Sequence, residues 1–357
     1  MKKDRVSIIT LAYNNLQYAK ECLNSVLCQT YEDIEWLFFD DESDNYWEYE
    51  KEIKKILSKE NKENIQNVVM HHNSVNLGVV KNYESALEAA TGEYIFYLAV
   101  DDILYDENVI KDVVEFFHKT DADIFTGCME ELSADGASRI LPQKHEIQYL
   151  QTESLDKILQ RHYRNNKIAG ACTPFRKSLV DKYGFVEEGY VHLEDWPRYI
   201  NLMEHGIRIH FYDRILIKYR IGGITDEITN EDLKNDFRKL NQKYMNAPYS
   251  NILEAMRNRK YIIGWGASGG FSMWYKKWEE KVNREIDFII DKNPEKAGTV
   301  FCEKKVYLPD VLEKIPREER YVLVFSSTYY IEIADELECM GMQEGKDFDL
   351  IDDKRIL

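Results

Sequence analysis

GEYIFYLAVDDILYDENVI, residues 92–110, carries an apolar run from Tyr94 to Val100 that stops on two adjacent carboxylates, Asp101 and Asp102. A short, unbroken apolar run followed by a helical pattern reads as a buried strand of a parallel sheet. Packing gives no reason to set two like charges side by side where such a strand ends. Taken alone, the pair suits a turn or a helix N-cap as well as a ligand site. As ligands, adjacent aspartates suit a hard divalent cation, because magnesium or manganese on a diphosphate takes one or two protein carboxylates.

Working outward, VSIITLA (6–12), IEWLFF (34–39) and NVVMHH (67–72) read as further strands. They alternate with helical patterns over 16–28, 47–59 and 79–91. Strand–helix alternation predicts a parallel sheet with right-handed crossovers, and ligands of such sheets bind beyond the carboxyl ends of the strands. The ends at Ala12-Tyr13-Asn14, Asp40-Asp41 and Asp101-Asp102 therefore share one edge. Asp41 reads as part of a solvated turn or as an acceptor for a base N–H. Lys81 reads as a surface lysine or as a cation facing phosphate at a helix start.

The next stretch is less regular. DADIFTG (121–127) is predicted as a strand, 154–164 as a helix, and AGACTPF, with Gly170, as a loop. Leu193–Gly206 reads as a helix entered through Glu194-Asp195, with Pro197 tolerated in its first turn. IRIHFY and ILIKYR (207–220) read as two short strands joined at Asp213-Arg214, and GGIT (222–225) as a loop. These elements predict a first domain over 1–227, with halves 1–102 and 103–227, and a helical linker over 228–257 broken at Pro248. A second α/β pattern fills 258–357. There Gly264, Gly266 and Gly269 form a GxGxxG turn between a strand and a helix. Asp291 ends the following strand, where a ribose-binding acid lies in dinucleotide sites. That turn is a nucleotide site or a tight connection used for packing or homo-oligomerisation.

Hydrophobic residues make up 44% and charged residues 31% of the 357, enough for a soluble chain with two cores. The formal net charge of −17, negative on both sides of Asn258, argues against duplex nucleic acid as a partner. The six cysteines, at 22, 28, 128, 172, 302 and 339, have no CxxC spacing and read as buried thiols of a reducing compartment. No apolar run approaches the ~20 residues of a membrane span. These features predict a cytoplasmic protein, with room for peripheral association at the inner face of the membrane.

The segments VSIITLAYN (6–14), SVLCQTYEDIEWLFFDDES (25–43), NLGVVKN (76–82), ATGEYIFYLAVDD (90–102) and LEDW (193–196) together resemble the family 2 glycosyltransferases of the GT-A fold. The likeness covers roughly residues 5–225. It implies a mostly parallel mixed sheet between helices, a nucleoside-diphosphate sugar donor, most readily a UDP-sugar, a Mn2+ or Mg2+ ion, and inversion at the anomeric carbon. It places the donor against Leu11, Ala12, Tyr13, Asn14, Asp41, Lys81 and Asp101. Asp101 and Asp102 become metal and donor carboxylates, Asp195 the general base and Glu194 its substitute. The acceptor would be a saccharide or a lipid-linked sugar of bacterial surface polysaccharide or glycoconjugate synthesis. The chain departs from the family at Leu11-Ala12, where Pro-Thr or Pro-Ser is common, and at Ala99, where the first acid of Asp-x-Asp is usual. It also lacks a histidine after Tyr219-Arg220. The second domain resembles the small Rossmann-like modules appended to bacterial sugar-modifying enzymes. Two other readings stand beside transfer: a non-catalytic nucleotide-sugar sensor, and an NAD(P)-dependent oxidoreductase centred on Gly264–Asp291.

Overall fold

The structure, a computed structural model, describes residues 1–59, 63–133, 136–221, 230–352 and 354, so the expected GGIT loop lies outside the described residues. The chain divides into two compact units, Met1–His162 with Asn166–Asp236, and Tyr163–Asn165 with Phe237–Leu357.

The first unit opens with β1 (Lys2–Ala12), α1 (Ala19–Leu27), β2 (Ile34–Asp40), α2 (Tyr46–Lys59), β3 (Ile65–His72), α3 (Val79–Ala89) and β4 (Gly92–Tyr97). The four strands are parallel neighbours in the order β3-β2-β1-β4. Residues alternate faces along a strand. Val6, Ile8, Trp36, Phe38, Tyr94 and Phe96 thus share one buried cluster with Leu23 and Val26 of α1. The indole N–H of Trp36 donates to the Thr10 hydroxyl at 2.9 Å, which accounts for a threonine inside an apolar strand.

The unit continues with β5 (Ile103–Leu104), α4 (Val109–Lys119), β6 (Phe125–Leu132), β7 (Ser138–Leu141), α5 (Lys144–Thr152) and α6 (Leu155–His162). Then come β8 (Phe175–Arg176), α7 (Ser178–Tyr183), α8 (Trp196–Glu204) and β9 (His210–Arg220). Here β8 adds antiparallel to β4, and a second sheet runs β5-β9-β6-β7. The two strands expected on either side of Asp213-Arg214 are one strand. On β9 the register jumps from Phe211 to Ile215 while β6 advances only from Thr126 to Cys128. The polar pair is a bulge, which has the residue chemistry of a turn without reversing the chain. The strand expected at 121–127 begins later, at Phe125.

In place of one broken linker helix, α9 (Glu231–Leu240) and α10 (Asn246–Arg257) flank a five-residue π turn, Asn241–Met245. Pro248 falls in the first turn of α10, so the break precedes it. The two units part inside α9, after Asp236. The second unit comprises β10 (Tyr261–Trp265), α11 (Gly269–Val282), β11 (Phe288–Ile290), β12 (Val300–Phe301), β13 (Lys304–Tyr307), β14 (Arg320–Val324), α12 (Tyr330–Cys339) and β15 (Phe348–Leu350). Its sheet order is β12-β13-β11-β10-β14-β15, parallel except for β12. Connections leave β10 on both sides, the arrangement of a doubly wound sheet.

Candidate active site

Register brings the strand ends together. Ala12 pairs with Asp40 and Asp40 with His72, so Tyr13, Asn14, Asp41 and Asn73 emerge side by side. After β4 the chain stays beside β1 through Leu98 N–H to Ile9 O at 2.9 Å and Val100 N–H to Leu11 O at 3.1 Å, which delivers Asp101 to the same edge. Asn14 and Glu42 both have positive φ, 52° and 72°. Non-glycine residues held there mark a constrained edge. Asn14 is braced by the Ser43 hydroxyl, which accepts its N–H at 2.8 Å. Tyr13 is 44% exposed, an aromatic face offered to solvent where a base could stack. Leu11 and Ala12 are buried backbone neighbours of this edge, and Lys81 is exposed in the first turn of α3.

Asp41 is buried. Its Oδ1 accepts from Asn73 Nδ2 and Leu77 N–H, and its Oδ2 from Gly78 N–H, all at 2.9 Å. A carboxylate offers about four acceptor positions. Three build the 73–78 loop, and one is left for a ligand N–H.

Asp102 is buried and its neighbour Asp101 half-buried. Its Oδ1 accepts the Arg220 backbone N–H at 3.1 Å, and its Oδ2 is buried without a hydrogen-bond partner. Burial, and then the Asp101 charge, push the Asp102 carboxyl well above the ordinary carboxylate range. An orphaned oxygen beside a second acid is a donor set that a hard divalent ion satisfies. Among the described residues no cluster of three or more His, Cys, Asp or Glu side chains could hold a metal. Any ion here would complete its shell from a ligand such as a diphosphate.

Glu194 and Asp195 enter α8. Asp195 caps the helix, accepting Trp196 N–H on Oδ1 at 2.5 Å, while its Oδ2 accepts Asn166 Nδ2 at 3.0 Å. Glu194 is pushed up to about 8, by burial first and by the negative charge of Asp195 second, with Arg198 pulling it back. Tyr97 lies within electrostatic reach of Glu194, Asp101 and Asp102, whose charges add to burial in pushing its phenol well above the ordinary range. A Cβ at Gly170 would lie 3.2 Å from Glu194 Oε1 and 3.1 Å from Asp195 Cβ, so glycine leaves the room the two acids occupy. Trp196 is core: it is buried and donates Nε1–H to His162 O at 2.7 Å.

In the second unit, Gly264, Gly266 and Gly269 form the expected turn from β10 to α11. Asp291 Oδ2 accepts the Ala267 N–H and the Lys296 ammonium, each at 2.9 Å, and Oδ1 accepts the Asn293 N–H at 2.8 Å. The acid thus closes the turn with the chain's own donors.

Sequence reasoning passed over Asn166, Tyr97, Arg198 and Asp236. Asn166 and Arg198 show no pattern that separates them from ordinary polar residues. Tyr97 counts as one more apolar strand position. Asp236 does leave a signal, since it falls on the helical face of Leu233, Phe237 and Leu240.

Residues 7–184 match the family described as "Glycosyl transferase family 2". An uncharacterized glycosyltransferase of Haemophilus influenzae is 23% identical over 67% of this chain and 72% of its own length. The processive diacylglycerol beta-glycosyltransferase of Mycoplasma genitalium is 28% identical over 81% of this chain and 89% of its own. Among solved structures, S. aureus TarS residues 1–349 in complex with UDP-GlcNAc superposes with a TM-score of 0.50 at 19% identity, covering 78% of each chain. At that identity the likeness concerns the fold.

Proposed function

The chain belongs to glycosyl transferase family 2 and is a glycosyltransferase, and on that premise we propose the reaction it carries out. It moves a sugar from a nucleoside diphosphate, with UDP the favoured carrier, to an acceptor hydroxyl, with inversion at the anomeric carbon. The observation that supports this reading is a run of contacts from a strand end toward the second acid pair: Asp41 accepts the Gly78 N–H, and Val80 N–H donates to Val191 O, three residues before Glu194. In this reading Asp101-Asp102 serve the donor and Glu194-Asp195 the acceptor, and Tyr97 lies within electrostatic reach of Glu194, Asp101 and Asp102. The donor base stacks on Tyr13 and presents an N–H to the free position of Asp41, and Lys81 faces the phosphates. When bound at Asp101 and Asp102, Mn2+ or Mg2+ supplies Lewis-acid neutralisation of the departing diphosphate. Asp195 takes the acceptor proton, and Glu194, pushed up to about 8 by burial and the Asp195 charge, is the member of the pair that favours its neutral form. Asn166 fixes the Asp195 carboxylate in place.

The TarS complex with UDP-GlcNAc supports the choice of UDP, and the diacylglycerol transferase of Mycoplasma supports a lipid-linked acceptor. The setting would be bacterial surface polysaccharide or glycoconjugate synthesis, in the cytoplasm or at the inner face of the membrane. Among the described residues no helix is long and apolar enough to cross a bilayer. The test is calorimetry of the chain with a panel of UDP- and GDP-sugars, with and without Mn2+, followed by transfer to saccharide and lipid acceptors. Metal-dependent binding with turnover supports the reading; binding without turnover across the panel supports a sensor instead.

A further inference from the structure

Asp236 lies on α9, within a stretch that the sequence presents as a polar linker, yet it is 1% exposed. Its Oδ2 accepts the N–H of His192 at 2.6 Å and of Leu193 at 3.0 Å, and the Val191 N–H lies 3.0 Å from both oxygens. Three consecutive backbone donors converging on one point form an anion nest, filled here by a side chain of the same unit. Hydrogen bonds to an ionised acceptor are roughly twice as strong as neutral ones. The next two residues after the nest are Glu194 and Asp195. On its other side the segment is tied to the donor loop, where Val80 N–H donates to Val191 O at 2.9 Å. Packing alone does not ask for an acid at this position. Leu233, Phe237 and Leu240 supply the buried apolar stripe of α9, and Asp236 interrupts it. An apolar side chain there would leave three N–H groups without their acceptor.

We propose that Asp236 is a positioning residue for sugar transfer, gripping the 191–193 backbone so that Glu194 and Asp195 enter α8 at the height the acceptor hydroxyl requires. The inference rests on the reading of that pair as the acceptor-side acids. It concerns a residue outside the part of the chain that matches the family, residues 7–184.

The test uses the full chain as wild type, Asp236→Asn and Asp236→Glu, with hydrogen exchange, calorimetry and steady-state kinetics. In Asp236→Asn the amides of 190–196 should exchange about tenfold faster or more while the rest of the first unit keeps its protection. UDP-sugar affinity and donor KM should stay at wild-type values while kcat falls about 100-fold, the cost of misplacing a reacting group by about an ångström. Asp236→Glu, which keeps the charge, should recover part of kcat; should Asp236→Asn not fold, the Glu variant gives the same readings with smaller changes. Unchanged exchange at 191–193 overturns the proposal, as does loosening spread over the whole first unit. A loosened loop with wild-type kcat overturns the positioning role alone. A wild-type chain that binds donor but transfers to no acceptor overturns the enzymatic reading itself, and with it the catalytic part of this proposal.

Discussion

Glu194 and Asp195 are sequence neighbours with different surroundings. Asp195 has hydrogen-bond donors on both oxygens. Glu194 is enclosed beside another negative charge, which favours its neutral form. Because folding raises the Glu194 pKa, the native state holds more protons than the unfolded state between about pH 4.5 and 8, and stability falls as pH rises through that window. Glu194→Gln, neutral throughout, should therefore unfold at a higher temperature than wild type near pH 8, with the advantage gone near pH 4, as thermal scans would read. Asp195→Asn should lower kcat by about 10²–10⁴-fold, the range of a lost general base, with UDP-sugar affinity intact by calorimetry. Asp101→Ala should weaken Mn2+-dependent UDP binding while leaving metal-free binding near its wild-type value. At this scale the sequence is readable where charge stands against an apolar run, as at Asp101-Asp102 after Leu98 and Val100. It is silent where an ordinary polar residue acts through its partner. Nothing in Asn166 announces that its amide holds Asp195.

At the scale of elements, the strands were legible because the hydrophobic period changes sharply at β1, β2 and β3, whereas β4 ends at Tyr97, three residues before its apolar run stops at Val100. Asp213-Arg214 misled because a bulge and a reverse turn draw on the same residue types. Asp236 was legible in principle. Leu233, Phe237 and Leu240 have the spacing of one helical face, and an acid on that face needs a buried partner. The loop between β3 and α3 makes its own prediction. Gly78 has φ +81°, and a Cβ there would meet Val191 Cγ1 at 2.5 Å. With ψ at 166° this backbone lies in a region that glycine alone adopts readily, and it costs another residue about 1–3 kcal/mol. Gly78→Ala should lower the melting temperature of the first unit and also weaken UDP binding, since Asp41 loses the geometry of its bond to the Gly78 N–H. A purely local strain would lower the melting temperature with UDP affinity unchanged.

For the whole molecule, the two units have separate cores, one around Trp36 and Phe96 and one around Trp278 and Tyr321. Calorimetry should resolve two heat transitions, and UDP with Mn2+ should raise the one belonging to the first unit, in line with RT ln(1 + [L]/Kd). A single transition, or an equal rise in both, would mean that the units melt together. The strand, glycine turn and helix that follow residue 258 pointed to a second domain, and the units part after Asp236, inside α9 and within the stretch read as a linker. A helix that runs across a boundary has no punctuation to mark it. The close approach of Gly78 to Val191 carries a lesson for anyone recombining these enzymes. A chimaera that brings any residue larger than glycine to position 78 while Val191 stays in place meets that side chain. Grafts that exchange the segments around 78 and 191 as a matched set should therefore fold more stably than grafts of either one, as melting temperatures would read.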